Sequence, residues 1–208
     1  MRLAISEDIC NLSRAYWLRW ALLVSLLLLG TIYVIAFTLF VTESKDFIVD
    51  RRNRDAAAFA LAHRVTIPAS ILLRSDAPFI GILGGGWHPP ELQGVWSSAK
   101  DSWIELTVPA HSPNAILRLD TTFFLAESQP KTKVAVEING QASGKWERNH
   151  TNAAEPIEIH LSEDALKNGR LTVHLHVEHV ASPFSRHAGP DLRPLGFLLS
   201  SLTIAIAP

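Results

Sequence analysis

The sequence predicts an all-β protein, an antiparallel jelly-roll-like β-sandwich preceded by one N-terminal transmembrane helix. Three observations carry that expectation. The run WALLVSLLLLGTIYVIAFTLFV, Trp20 to Val41, contains no charge. About 22 residues at roughly 1.5 Å each reach about 33 Å, enough to cross the hydrocarbon core of a bilayer. Beyond about Ile67, short runs alternate apolar and polar residues with a period of two, the mark of strands with one buried face. Asn139-Gly140 follows one such run, and both residues tolerate the positive φ of a tight hairpin. With no alternation of strand and helix, the sheets should be antiparallel and packed face to face.

Taken in chain order, residues 1–19 read as a cytoplasmic tail, 20–41 as the transmembrane helix, 42–66 as a juxtamembrane helix or stalk, and 67–208 as the sandwich. Trp17 and Trp20 suit the interfacial aromatic belt, while Arg14 and Arg19 can reach headgroups. A cleaved signal peptide is the rival reading. Its apolar region would span only about 7–15 residues, and its best cleavage point here is the weak Val-Ile-Ala ending at Ala36. Arg2, Arg14 and Arg19 precede the helix, whereas Lys45, Arg51, Arg52 and Arg54 follow it, so counting cations does not set the orientation. The later cations alternate with Glu43, Asp46, Asp50 and Asp55, and long domains translocate largely regardless of charge. The C-terminal domain is therefore expected outside the cytoplasm. Cys10, the single cysteine, lies in the tail, so the exported part must be held by its core. The run Arg51-Arg52-Asn53-Arg54 either touches anionic lipid or forms a solvated helical face.

The strands come next. A first strand is expected near Phe79–Leu83. In Ser102–Pro109, Ile104, Leu106 and Val108 alternate with Trp103, Glu105 and Thr107, and the alternation returns in Ala115–Ala126, Lys131–Asn139, Pro156–Leu161 and Arg170–Val180. Ser162–Gly169 reads as one helical turn with Ser162 as N-cap and Gly169 as stop. The run Leu195–Ala207 is long and apolar, as a central strand buried on both faces would be. Roughly eight strands in all are expected.

One stretch stands apart. GGGWHPPELQGVWS, Gly84 to Ser97, joins the first strand to the next, and its glycines and Pro89-Pro90 suit a rigid loop presenting Trp87, Glu91 and Trp96. Its pattern, Gly86, Trp87, Pro90, Glu91, Gly94, Trp96 and Ser97, resembles the start of an uncharacterised bacterial β-sandwich domain. That domain is attached to membrane glycosyltransferases and phosphoglycerol-transferase-like envelope proteins. The domain's ending is matched by Asp191, Arg193, Leu195 and Gly196, and its middle by Val134, Val136, Asn139 and Gly140, so the resemblance covers about Ile80 to Ile206. It implies a carbohydrate-binding-like module serving surface polysaccharide or glycolipid assembly at a bacterial plasma membrane, and no reaction. Because this chain carries no glycosyltransferase segment, a separate membrane enzyme would be the catalytic partner. His88 departs from the small polar residue more usual in the pattern.

The candidate ligand-binding residues are Trp87, Glu91, Trp96 and Arg193, with Gly86, Pro90, Gly94, Ser97, Asp191 and Gly196 as the framework. Trp87 and Trp96 either form a stacking platform for sugar or plug a corner of the core. Glu91 either accepts sugar hydroxyls or pairs with Arg193 to fasten the loop to the last strand. Trp103 and Trp146 read as half-buried sheet residues. His174, His176 and Glu178 share one strand face, with His160 outward on an earlier strand, but alternation assigns that face to solvent and no zinc-site spacing is present. No metal or other cofactor is expected. Nor is a nucleophile elbow, a phosphate loop or a second acid opposite Glu91 in evidence. A net charge of -1 without a basic aromatic stripe gives no argument for a nucleic-acid partner, and none is expected. The sequon Asn149-His150-Thr151 matters only in a glycosylating pathway. The function expected is a membrane-anchored, non-catalytic saccharide-binding accessory protein. The alternative is a structural subunit docking on a multi-span glycosyltransferase without touching sugar, and an envelope hydrolase is a distant third.

Overall fold

A computed structural model describes residues 4–207, with side chains from Trp17 onward except Leu18 and Thr42; Cys10 lies outside the described side chains. The chain forms two compact units, Met1–Phe47 and Ile48–Pro208. A single helix, α1 (Ala4–Ala62), runs through the first and ends in the second. In the first unit it is long and apolar enough to cross a membrane. Leu22, Leu26, Leu29, Val34 and Phe37 are all exposed. The hydroxyls of Thr31 and Thr38 donate to the carbonyls of Leu27 and Val34, both at 2.8 Å, which satisfies them without water.

The second unit is a two-layer antiparallel sandwich. One sheet pairs β1 (Ala69–Leu72), β9 (Phe197–Ile206), β4 (Ala115–Phe123) and β7 (Ile157–Leu161) in that order, with β2 (Val95–Trp96) also on β9. The other pairs β3 (Asp101–Thr107), β8 (Arg170–Val177), β5 (Lys131–Ile138) and β6 (Gln141–Asn149). After β2 the chain changes sheet at every step except the β5–β6 hairpin. That hairpin turns on Asn139 and Gly140 at φ 51° and 78°, as the Asn-Gly pair predicts. Ser162 caps α2 (Glu163–Leu166) by accepting from Ala165 N. The inward residues of both sheets, among them Ile104, Leu117, Leu119, Val173, Phe197 and Leu202, are buried in one core. Each contributes about 1.5–3 kcal/mol by leaving water.

Several expectations are corrected. Phe79–Leu83 is not a strand: Ile80–Ile82 is a 3₁₀ turn, and Leu83 alone bridges to Ile104. Within the turn Gly81 lies against the Phe59 ring, where a Cβ would stand 2.5 Å from Cδ2. The first strand is β1, which pairs with β9. Strand β6, not assigned from the sequence, alternates only from Gly144 to Arg148, with Trp146 and Arg148 turned inward on a largely exposed edge. Strand β9 is central, but only one of its faces is buried; Leu198, Ser201, Thr203 and Ala205 are half-exposed on the other. Last, residues 48–62 are no free stalk. They pack within the sandwich unit, with Ala56 and Ala60 buried, although Arg51, Arg52, Arg54 and Asp55 remain exposed.

Candidate functional site

The Gly84–Ser97 loop is gripped on two sides. Against α1, the face built by Val49, Asn53, Ala56 and Phe59 recurs every three to four residues, the spacing of one helical stripe. Gly85 N donates to Asn53 Oδ1 at 2.7 Å, and Arg52 Nη1 to the Trp87 carbonyl at 3.3 Å. Only residues without side chains let the backbone come this close. A Cβ on Gly85 would lie 2.8 Å from Val49 Cγ1.

Against β9 the attachment is denser. Ser97 N donates to the Phe197 carbonyl at 2.8 Å, Phe197 N returns a bond to Ser97 Oγ at 3.0 Å, and Gly196 N donates to the Ser97 carbonyl at 3.2 Å. Gly196 has no room for a Cβ beside that hydroxyl. Gly94 closes the turn begun at Glu91 with φ +147°, and a Cβ there would stand 2.5 Å from the Leu199 carbonyl oxygen. Gly86, at φ +84°, is pressed against the Asp101 backbone. His88 Nε2 lies 2.7 Å from the Pro194 carbonyl. The histidine thus does what the other framework residues do and ties the loop to the C-terminal segment.

Glu91 and Arg193 meet as an ion pair, Oε1 to Nη1 at 2.6 Å, and Asp191 chelates the same guanidinium through Nη2 at 2.8 Å and Nε at 3.2 Å. Hydrogen bonds from the Arg193 side chain and backbone hold the Asp191 carboxyl below the usual aspartate range, and the two carboxylates push Arg193 further up. The side chains are 42% and 39% exposed, so the pair lies on the surface rather than in the interior.

The two tryptophans separate. Trp87 is 4% exposed, its ring edge-on to Phe197 at 5.5 Å and its Nε1 donating to the Trp103 carbonyl at 2.8 Å. No ring face is left for a sugar, so of the two readings Trp87 takes that of the core plug and not that of the stacking platform. Trp96 points the other way, half-exposed beside Leu198 on the outer face of β9. Trp103 and Trp146 are half-buried sheet residues, as they were read from the sequence.

Between the loop and α1 an open cleft of about 450 Å³ remains. Phe59, Ile80, Leu83, Pro89 and Pro90 wall it, and Arg52, Asp55 and His88 supply its polar groups. That mixture is what a small-molecule site requires, apolar surface with a few polar groups that fix orientation. Arg52, Asp55 and Phe59 were missed as site residues because the helix reads from sequence as a solvated stalk; the stripe Val49, Asn53, Ala56, Phe59 was the available signal.

The histidines do not converge. His160 lies on β7, in the opposite sheet from His174 and His176 on β8. His174 stacks on Trp103 at 4.8 Å between Asp101, at 2.9 Å, and Glu137, at 3.2 Å. Burial alone would raise the Asp101 carboxyl, but hydrogen bonds from His176 and His174 outweigh it and hold the group low. Among the described residues no group of three metal-ligating side chains is set to hold an ion.

No protein-family model matches the chain, and no curated protein matches it in sequence. Similar solved structures include the CBM36-1 domain of a multidomain xylanase from the hindgut metagenome of Trinervitermes trinervoides. It is 14% identical, covers 67% of this chain and 99% of that one, and superposes at TM-score 0.38. The carbohydrate-binding module CBM36 in complex with calcium and xylotriose is also 14% identical, over 59% and 92% of the two chains, at TM-score 0.34. The insecticidal delta-endotoxin Cry8Ea1 of Bacillus thuringiensis reaches TM-score 0.40 at 10% identity, over 70% of this chain and 26% of that one.

Proposed function

We propose that this chain is a membrane-anchored, non-catalytic saccharide-binding accessory protein of bacterial surface polysaccharide or glycolipid assembly, holding glycan in the cleft between α1 and the Gly84–Ser97 loop. The observation that carries the reading is the cleft itself. Its walls are fixed by the bonds of Asn53 and Arg52 on one side and the attachment to β9 on the other, so little ordering remains to oppose binding. Asp55 and His88 offer hydrogen bonds to hydroxyls, and Phe59 and the two prolines offer apolar surface to sugar C–H faces. The apolar half of α1 anchors the chain as a single pass in the inner membrane, with the sandwich outside the cytoplasm and a separate glycosyltransferase as partner. Alkaline phosphatase fused to the C-terminus should be active; activity only in fusions that report the cytoplasm reverses the topology. Glycan-array binding by the full-length protein in detergent should fall on Asp55→Trp, which fills the cleft from an exposed position. The second reading, a structural subunit that binds no sugar, is favoured by the internal use of Trp87, Glu91 and Arg193, and an array with no signal above background supports it.

A further inference from the structure

The outer face of the sheet β1-β9-β4-β7 lies apart from the cleft, and its side chains fall into four cross-strand rows, the last of them Ile116, Ala205 and His160 on β4, β9 and β7. Trp96, Leu198 and Thr122 form the first, on β2, β9 and β4. Leu72, Ser201 and Asp120 form the second. Ser70, Thr203, Arg118 and Glu158 form the third, across all four strands. From Leu198 to Thr203 the first three rows run about 17 Å along β9, and the third row spans about 14 Å across the sheet. Thr122, Ser201, Asp120, Ser70 and Thr203 are short. The charged side chains are held in place: Arg118 Nε donates to Asp120 Oδ1 at 3.0 Å and its Nη1 to Glu158 Oε1 at 3.3 Å. Ser201 donates to the other Asp120 oxygen at 2.5 Å, and Thr203 to Ser70 at 3.3 Å. Arg118, Thr122 and Glu158 are nonetheless open to solvent.

We infer that this face is a second glycan surface, which takes an extended, uncharged polysaccharide segment along β9. An extended chain of hydroxyls is matched by rows of pre-ordered polar groups, with a half-exposed indole at one end on which a sugar ring can stack. A cation is a poor fit, because Arg118 stands between the two carboxylates. The inference takes its ligand class from the proposed function but uses none of the same residues.

The test is affinity electrophoresis and calorimetry of the full-length protein in detergent against uncharged hexasaccharides, namely gluco-, xylo- and manno-oligomers with β-1,3 or β-1,4 linkages. Wild type is compared with Trp96→Ala, Arg118→Ala and the cleft variant Asp55→Trp, with melting curves to show that each variant is folded. Loss of one stacking or charged hydrogen-bond contact should weaken hexasaccharide binding about tenfold in either face variant, with Arg118→Ala standing in if Trp96→Ala unfolds. Unchanged binding in the face variants, with loss in Asp55→Trp, overturns the second surface and leaves the cleft. Loss in the face variants alone supports the surface and removes the cleft, and no binding to any hexasaccharide by wild type overturns both.

Discussion

The two borders of the Gly84–Ser97 loop are built differently. On the β9 side Ser97 exchanges backbone and hydroxyl bonds with Phe197, Val95 and Trp96 pair with Leu199 and Leu198, and Trp87 seals the core beneath. On the α1 side two hydrogen bonds and close glycine contacts leave an open cleft. A loop that needed only to be rigid would be packed equally on both sides. The difference teaches that the motif residues make the loop a fixed wall, and that the open cleft it faces is the space the proposed function uses.

Changes on the β9 border should therefore cost stability. Trp87→Ala should have the largest effect, about 3–5 kcal/mol, because it empties a core position beside Phe197. Urea unfolding measures it; a variant within about 1 kcal/mol of wild type would show that the ring does not support the core. Ser97→Ala should cost about 1–3 kcal/mol, since it strips the acceptor from the buried Phe197 N–H.

Glu91 and Arg193 should matter less than their place in the motif suggests. At 39% and 42% exposure the pair is screened by water, so each single substitution should cost about 0.2–1 kcal/mol. A double-mutant cycle should return a coupling of similar size that shrinks in high salt. Strictly additive effects would show that the two do not interact.

The smallest effect expected is on the acid limb of stability. Asp191, bonded by Arg193, and Asp120, bonded first by Ser201, titrate below the ordinary aspartate value of 3.8 in the fold. A carboxyl whose pKa is lower folded than unfolded adds stability that is fully present above the unfolded value and is lost as pH falls through the folded one. Melting temperature should fall below about pH 4, and less so in Asp191→Asn. An unchanged acid limb in that variant would show that Asp191 has no part in it.

Much of this was legible in the sequence, and the exceptions share a physical cause. Strands β3, β4, β5, β7 and β8 were read from alternation, because one face of each is in the core and the other in solvent. The Glu91–Arg193 pair was also anticipated, since the two most distinctive ends of the domain had to meet. The 3₁₀ turn at Ile80–Ile82, the short β2 and the edge strand β6 were not, as each depends on what lies beside it rather than on its own period. The cleft was missed for the same reason. Its helix side looks solvated in isolation, and it takes the contacts of Gly81 and Gly85 with Phe59 and Val49, with the bonds of Asn53 and Arg52, to show that the two segments meet.

The most direct test of the cleft is Asp55→Trp in the full-length protein, read for glycan binding and thermal stability in one preparation. An exposed helix position tolerates the substitution, and the indole occupies the space between Arg52, Phe59 and Pro89. The account predicts that glycan binding drops at least about tenfold while the melting temperature stays within a few degrees of wild type. Undiminished binding in a folded variant would contradict it.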